Sequence, residues 1–194
     1  MPNIVGITGG IGSGKTRIVE LFESLGVPCY IADREAKRLM NEDADVKKAI
    51  IGLFGNEAYA SGILDRTLLG NIVFTQPQKL NALNAIVHPA VAKDFKNWVD
   101  NQHYPYVIKE VAILFETGGY KQVDKTLLIT APKETRIARV MKRDASSKKS
   151  IIDRMQNQWS DDKKIPLADF VIENSVWEQT KKVVKQLHQQ FLNL

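Results

Sequence analysis

The segment Gly9-Gly10-Ile11-Gly12-Ser13-Gly14-Lys15-Thr16 constrains this chain more than any other, because it satisfies G-x-x-x-x-G-K-[ST] at every specified position. Its surroundings agree with the motif. Residues 3–8 read as an apolar strand. Residues 15–25 place Ile18, Val19, Leu21, Phe22 and Leu25 at helical spacing before Gly26 closes the helix. Glycines allow a loop so tight that successive N–H groups converge on phosphate oxygens. The helix N-terminus adds partial positive charge there. A lysine in this position reaches the β- and γ-phosphates, and a hydroxyl at the next residue suits Mg2+. A bare glycine turn between strand and helix would not require the Lys-Thr pair. Gly10, Ile11, Gly12, Ser13, Gly14, Lys15 and Thr16 are therefore expected to bind the phosphates of ATP, with Thr16 on the metal.

The remaining order of elements predicts an α/β chain with the P-loop kinase fold. Strand-like runs at 28–32, 106–112, 125–131 and 168–173 join the first, giving a parallel sheet of about five strands flanked by helices. Helical spacing recurs from 33 to about 40 and over 45–54, 64–74, 78–101, 134–143, 148–158 and 176–192, with His88-Pro89 interrupting the fourth of these. The helical stretch after the second strand is too long for one crossover. A core of 1–39, 103–142 and 167–194 is expected, with a helical insertion of 40–102 and a smaller basic excursion of 143–166; two excursions flanking one nucleotide site suggest parts that close over substrates.

Composition narrows the class. At 44% hydrophobic and 25% charged residues over 194 positions, the chain suits a soluble globular protein. No apolar run approaches the roughly 18 residues that suggest a membrane span, and the N-terminus has no secretory pattern. The single Cys29 cannot form an internal disulfide, which points to a reducing cytoplasm, and it reads as a small core residue. The net charge of +5 is spread along the chain. It is densest over 133–164, where Arg136, Arg139, Lys142, Arg143, Lys148, Lys149 and Arg154 are interleaved with acids. No coherent basic stripe speaks for nucleic acid, and a monomer or weak homo-oligomer is expected. Neither N-K-x-D nor D-x-x-G occurs, so a GTPase is excluded. The run Lys109-Glu110-Val111-Ala112 does not end as the strand of an ATPase motor does. Size and insertion suit a small-molecule kinase.

Asp33 follows the second strand directly. Ligands of doubly wound sheets bind outside the carboxyl ends of the strands, so its carboxylate could orient or deprotonate an acceptor hydroxyl, or hold Mg2+ through water. It could equally cap the helix that follows. Arg139 and Arg143, four apart, share a helix face. They form either a solvated basic surface or a lid that meets the triphosphate.

The joint order of these pieces resembles the dephospho-coenzyme A kinase family over essentially the whole chain. The resemblance is carried by 7–16, Leu25-Gly26, Ala32-Asp33, Leu64-Asp65-Arg66, Val73-Phe74, Val87-His88-Pro89 and Leu114-Phe115-Glu116. It continues through Ala131-Pro132, Arg139 with Arg143-Asp144, Gln158, Ala168-Asp169, and Ile172 with Asn174. It implies strand order 2-3-1-4-5 and transfer of the ATP γ-phosphoryl group to the ribose 3′-hydroxyl of dephospho-CoA. It also implies catalytic roles for Asp33, Lys15 and Arg143, ATP contacts from Arg139, Arg143 and Asn174, and acceptor contacts from Thr8, Asp33, Arg66 and His88. Read without it, Arg66 could merely pair with Asp65, His88 mark a kink, and Asn174 cap the last helix. Four positions depart from the family pattern: Ile31, Lys37, Ala112 and Val176.

Overall fold

The computed structural model describes residues 1–194, and the elements follow the sequence spacing closely. In chain order they are β1 (Asn3–Gly9), α1 (Lys15–Ser24), β2 (Cys29–Ile31), α2 (Ala32–Glu42), α3 (Ala44–Phe54), α4 (Arg66–Thr75) and α5 (Pro77–Asp100). Then come β3 (Tyr106–Glu110), β4 (Lys125–Thr130), α6 (Lys133–Asp144), α7 (Lys148–Gln156), α8 (Asp161–Lys164), β5 (Phe170–Glu173) and α9 (Trp177–Phe191). The strands form one sheet in the order β2-β3-β1-β4-β5, with every pairing parallel. This is the order the family resemblance implies.

Two compact units emerge. The first comprises Met1–Ile31 and Gln102–Leu194. Its strands are apolar nearly end to end because helices cover the sheet. Val5, Ile7, Tyr106, Ile108, Leu127, Ile129 and Ile172 pack with Ile18, Val19 and Phe22 of α1 and with Val184, Leu187 and Phe191 of α9. A smaller cluster joins Ile137 and Val140 of α6 to Ile151 of α7, with Ile11 against it. The turn after α1 fixes how that helix returns to the sheet. Gly26 at φ 84 lets its own N–H reach the Glu23 carbonyl at 2.9 Å and the Val27 N–H reach Phe22 at 3.1 Å. Because β1 pairs with β3 on one side and β4 on the other, the sheet order reverses at its carboxyl end, and the glycine-rich loop leaves β1 at that point.

The second unit is Ala32–Asn101 and is wholly helical. It has its own core of Val46, Ile50, Ala58, Tyr59, Leu64 and Leu69. Asp43 caps α3 by accepting from the Asp45 and Val46 N–H groups, and Asp65 caps α4 through Thr67 and Leu68. Arg38 of α2 binds Asp94 of α5 at 2.7 Å and Glu35 at 2.6 Å. The unit begins at Ala32, where the sequence suggests 40, because α2 packs on α3 and α5.

His88-Pro89 does not break its helix. Pro89 lies inside the continuous α5, where it cannot donate to the Ala85 carbonyl. The other basic excursion, 143–166, stays within the sheet unit, its α7 packed on α6.

Candidate active site

The phosphate loop is built by close approach as much as by flexibility. A side chain on Gly10 would collide with the Arg136 guanidinium. One on Gly12, at φ 79, would strike the Arg136 backbone carbonyl. The close approach of the Arg136 backbone to Gly12, at positive φ, leaves no room for a side chain there, whereas at Gly10 the Arg136 side chain would have to move aside. The Lys15 ammonium donates to the Gly9 carbonyl at 2.7 Å and lies 4.0 Å from Glu110 Oε1 at the end of β3. Glu110 pairs in register with Ile7 of β1, which brings a carboxylate to the sheet edge from which the loop departs.

Two residues hold the descending limb at Ser13. Its carbonyl accepts from Asn174 Nδ2 at 2.9 Å and from Arg139 Nη1 at 3.3 Å. Arg139 Nη2 also donates to the Asn174 carbonyl at 2.8 Å, and Asn174 Oδ1 accepts from the Thr180 hydroxyl at 3.1 Å. Asn174 is buried and both ends of its amide are engaged, so it braces the loop. It does not cap the last helix, which starts after Val176 without a side-chain cap. The Ser13 hydroxyl is buried without a partner.

The crown is gripped as well. Ile11 N–H donates to Gln158 Oε1 at 2.9 Å, and the Ile11 carbonyl accepts from Arg136 Nε at 2.9 Å. Arg136 Nη1 reaches Asp161 at 3.1 Å. Gln158 Nε2 donates to the Ala112 carbonyl at 3.4 Å, which also receives the Thr8 hydroxyl at 3.3 Å. Thr8 is 0% exposed. Its hydroxyl supports the wall behind the loop. Behind Gln158, Trp159 N–H donates to Glu116 Oε1 at 3.0 Å, and the Lys164 ammonium lies 2.8 Å from the same oxygen, off-axis for a hydrogen bond. Lys164 is completely buried.

The remaining expected residues take no part in these hydrogen bonds. Thr16 is exposed at the second position of α1. Arg143 is exposed and makes a two-pronged contact with Asp144, Nε to Oδ1 at 2.6 Å and Nη2 to Oδ2 at 3.0 Å. That contact raises the pKa of Arg143 and lowers that of Asp144. Asp33, Arg66 and His88 all belong to the helical unit and are exposed. Asp33 lies inside the first turn of α2 rather than at its cap, so a capping role is not what the helix asks of it. Arg66 opens α4, whose N-cap Asp65 accepts backbone N–H groups and forms no ion pair with it.

Sequence reasoning favoured a surface role for Arg136, gave Glu110 no role in the site and left Gln158 without a task. Nothing in spacing singles out Arg136 from its basic neighbours. Glu110 was legible only as the acid of a strand end.

No cluster of three or more His, Cys, Asp or Glu side chains forms a self-sufficient metal site. The oxygen donors near the loop, the Thr16 hydroxyl and the Glu110 carboxylate, fit instead a hard cation that keeps most of its shell in phosphate and water.

Comparison with known proteins places this geometry. The dephospho-CoA kinase family profile matches residues 3–179. A dephospho-CoA kinase of Bacteroides fragilis is 39% identical over 171 residues, covering 88% of this chain and 83% of its own. One from Chlorobium chlorochromatii is 36% identical, covering 98% and 96%. A solved protein from Thermus thermophilus superposes with a TM-score of 0.88 at 34% identity, covering 97% of each chain. The Campylobacter jejuni dephospho-CoA kinase gives 0.73 at 26%, covering 100% and 98%.

Proposed function

The chain belongs to the dephospho-CoA kinase family, and from that premise we propose that it transfers the γ-phosphoryl group of ATP to the ribose 3′-hydroxyl of dephospho-CoA. The products are coenzyme A and ADP, the final step of coenzyme A formation. The observation that carries this reading is the phosphate loop itself, complete in sequence and braced at crown and flank, within a chain the family matches along most of its length.

The chemistry is in-line displacement. The acceptor oxygen bonds to the γ-phosphorus as the bond to the β,γ-bridging oxygen breaks, and ADP leaves with the electron pair. In this reading Lys15 and the loop N–H groups hold the phosphates. Asp33 orients the acceptor hydroxyl and takes its proton. Arg143, on a lid of 143–166, meets the charge that develops on the transferring group. Arg139 acts from the flank of the loop. Arg66 and His88 of the helical unit contact the acceptor. Thr16 and Glu110 would hold Mg2+. When bound, that ion neutralises charge on the β- and γ-phosphate oxygens. We read the enzyme as cytoplasmic and as a monomer or weak homo-oligomer. No helix is long and apolar enough to cross a membrane.

The experiment is direct: purified protein, Mg-ATP and dephospho-CoA, with the product identified by mass. An increment of one phosphoryl group on dephospho-CoA, dependent on ATP, is expected. ATP consumption with another alcohol acceptor and none with dephospho-CoA would transfer the chain to a different small-molecule kinase activity.

A further inference from the structure

The crown of the phosphate loop is the part least determined by its own backbone. Ile11 stands between two glycines, and the crown's internal support is one turn bond, Ser13 N–H to the Gly10 carbonyl at 3.1 Å. Glycine-flanked backbone samples many conformations unless something outside holds it. Here both polar backbone groups of Ile11 are held by side chains from elsewhere. Gln158 accepts its N–H and Arg136 donates to its carbonyl, each at 2.9 Å.

The two grips are fixed from behind. The Gln158 amide has one sensible orientation, because its Nε2 faces the Ala112 carbonyl while its oxygen faces Ile11 N–H. The Arg136 fork has its other prong on Asp161, and the two side chains are only 12% and 20% exposed. Segment 158–164 is anchored in turn through Trp159 N–H and buried Lys164, both on Glu116. One short segment after α7 thus reaches the crown directly through Gln158 and indirectly through Asp161.

We propose that Gln158 and Arg136 are positioning residues for phosphoryl transfer: they set the shape of the loop crown from the segment that follows α7, and so couple that segment to the bound triphosphate. The proposal rests on the ATP-dependent transfer reading above. Neither residue need touch substrate. Their effect runs through the Ile11 peptide groups. Phosphoryl transfer depends on donors held in place before the charge moves, so a loosened crown costs rate with ATP and leaves acceptor recognition alone.

The test uses Gln158→Met, which keeps length and volume but loses the amide, and Arg136→Lys, which keeps the charge but not the fork. Exchange of the Ile11 amide proton, followed by NMR in nucleotide-free protein, reads the grip without any turnover. In the wild type this amide should be protected, and in Gln158→Met it should exchange about five- to tenfold faster, the size of one lost hydrogen bond. Steady-state kinetics should show kcat/KM for ATP lower by about 10- to 100-fold in both variants, as for a small misplacement of reacting groups. The KM for dephospho-CoA should stay within about twofold, since the change lies outside acceptor binding. A purely structural role would move melting temperature and both substrates together.

An unprotected Ile11 amide in the wild type overturns the proposal whatever the variants do. So does unchanged kcat/KM for ATP in Gln158→Met, or full activity in Arg136→Lys, which would reduce Arg136 to a charge. Should the wild type ignore dephospho-CoA, the reading of function fails separately. Amide exchange, together with calorimetric affinity for ATP, still decides whether Gln158 shapes the loop.

Discussion

The Lys15 ammonium lies 4.0 Å from a carboxylate oxygen of Glu110, and the two side chains are 13% and 11% exposed. A cation and an acid are thus held close at the mouth of the phosphate loop, largely out of water, where charge–charge interactions are stronger than in bulk solvent. In the proposed role, in which its charge serves the group in transfer, Lys15→Ala should lower kcat by about 100- to 1,000-fold. Near-normal turnover in a folded Lys15→Ala protein would contradict the kinase reading itself.

Asp33 lies in the first turn of α2, where a negative charge is favoured by the helix dipole but no cap depends on it. Asp33→Asn should therefore change stability by at most about 1 kcal/mol. If Asp33 orients and deprotonates the acceptor, as proposed, its loss should lower turnover by about a hundredfold or more. The measurement is a melting curve beside a turnover assay at saturating ATP and dephospho-CoA. A stable variant with wild-type turnover would falsify the catalytic role.

Arg139 and Arg143, one turn apart on α6, should separate on mutation. Arg139 donates to the Ser13 and Asn174 carbonyls, so Arg139→Ala should destabilise the fold by about 1–2 kcal/mol and slow turnover as the loop loosens. Arg143 is exposed on Asp144, so Arg143→Ala should leave stability within about 0.5 kcal/mol. Its turnover should still fall, by about tenfold or more, with the KM for the acceptor little changed. Equal melting temperatures and equal rates for the two variants would remove the distinction.

A pH effect should arise far from the site. His188 is buried, and its Nδ1 lies 2.7 Å from the Tyr106 hydroxyl. Burial lowers its pKa below the ordinary 6.5, so between the two values the unfolded chain binds more proton than the folded one. Stability from this group is complete above about pH 6.5, declines as pH falls below it, and levels off under the lowered folded value. The lowered carboxyl groups of Glu35, Asp144 and Asp169 act in a separate, more acidic window, below their ordinary 4.5 and 3.8. For Asp169, burial alone would raise the pKa, and the two hydrogen bonds from Thr126 with Lys125 nearby outweigh it. Melting temperatures from about pH 7.5 to about pH 5 should fall in the wild type and stay nearly flat in His188→Gln. A wild-type curve that is itself flat in that range would remove the effect.

The sheet and its helices were legible in the chain because apolar runs and helical stripes alternate without ambiguity. β3 ends at Glu110 and β4 at Thr130, each within two residues of the expected 112 and 131. Less legible was anything set by tertiary contact. The sequence suggests an insertion that begins only at 40, yet the partners of α2, Asp94 and Tyr59, lie far along the chain within the helical unit. His88-Pro89 suggests an interruption, since local geometry disfavours helical angles before proline, but α5 continues through it. At the site, the motif named the loop. It could not name what holds the loop, because Asn174, Arg136 and Gln158 reach it from 125 to 161 residues away.

The Glu116–Lys164 pair has a consequence for how this sequence can drift. Replacing Lys164 alone strands a carboxylate whose second oxygen already lacks a partner. Replacing Glu116 alone strands a fully buried ammonium. Either step should cost about 3–5 kcal/mol, whereas exchanging both for apolar side chains of similar volume is nearly neutral or better. The two positions therefore behave as one heritable character. Any path that changes them must cross a poorly folding intermediate or take both steps at once, and descendants should carry the two charges together or not at all.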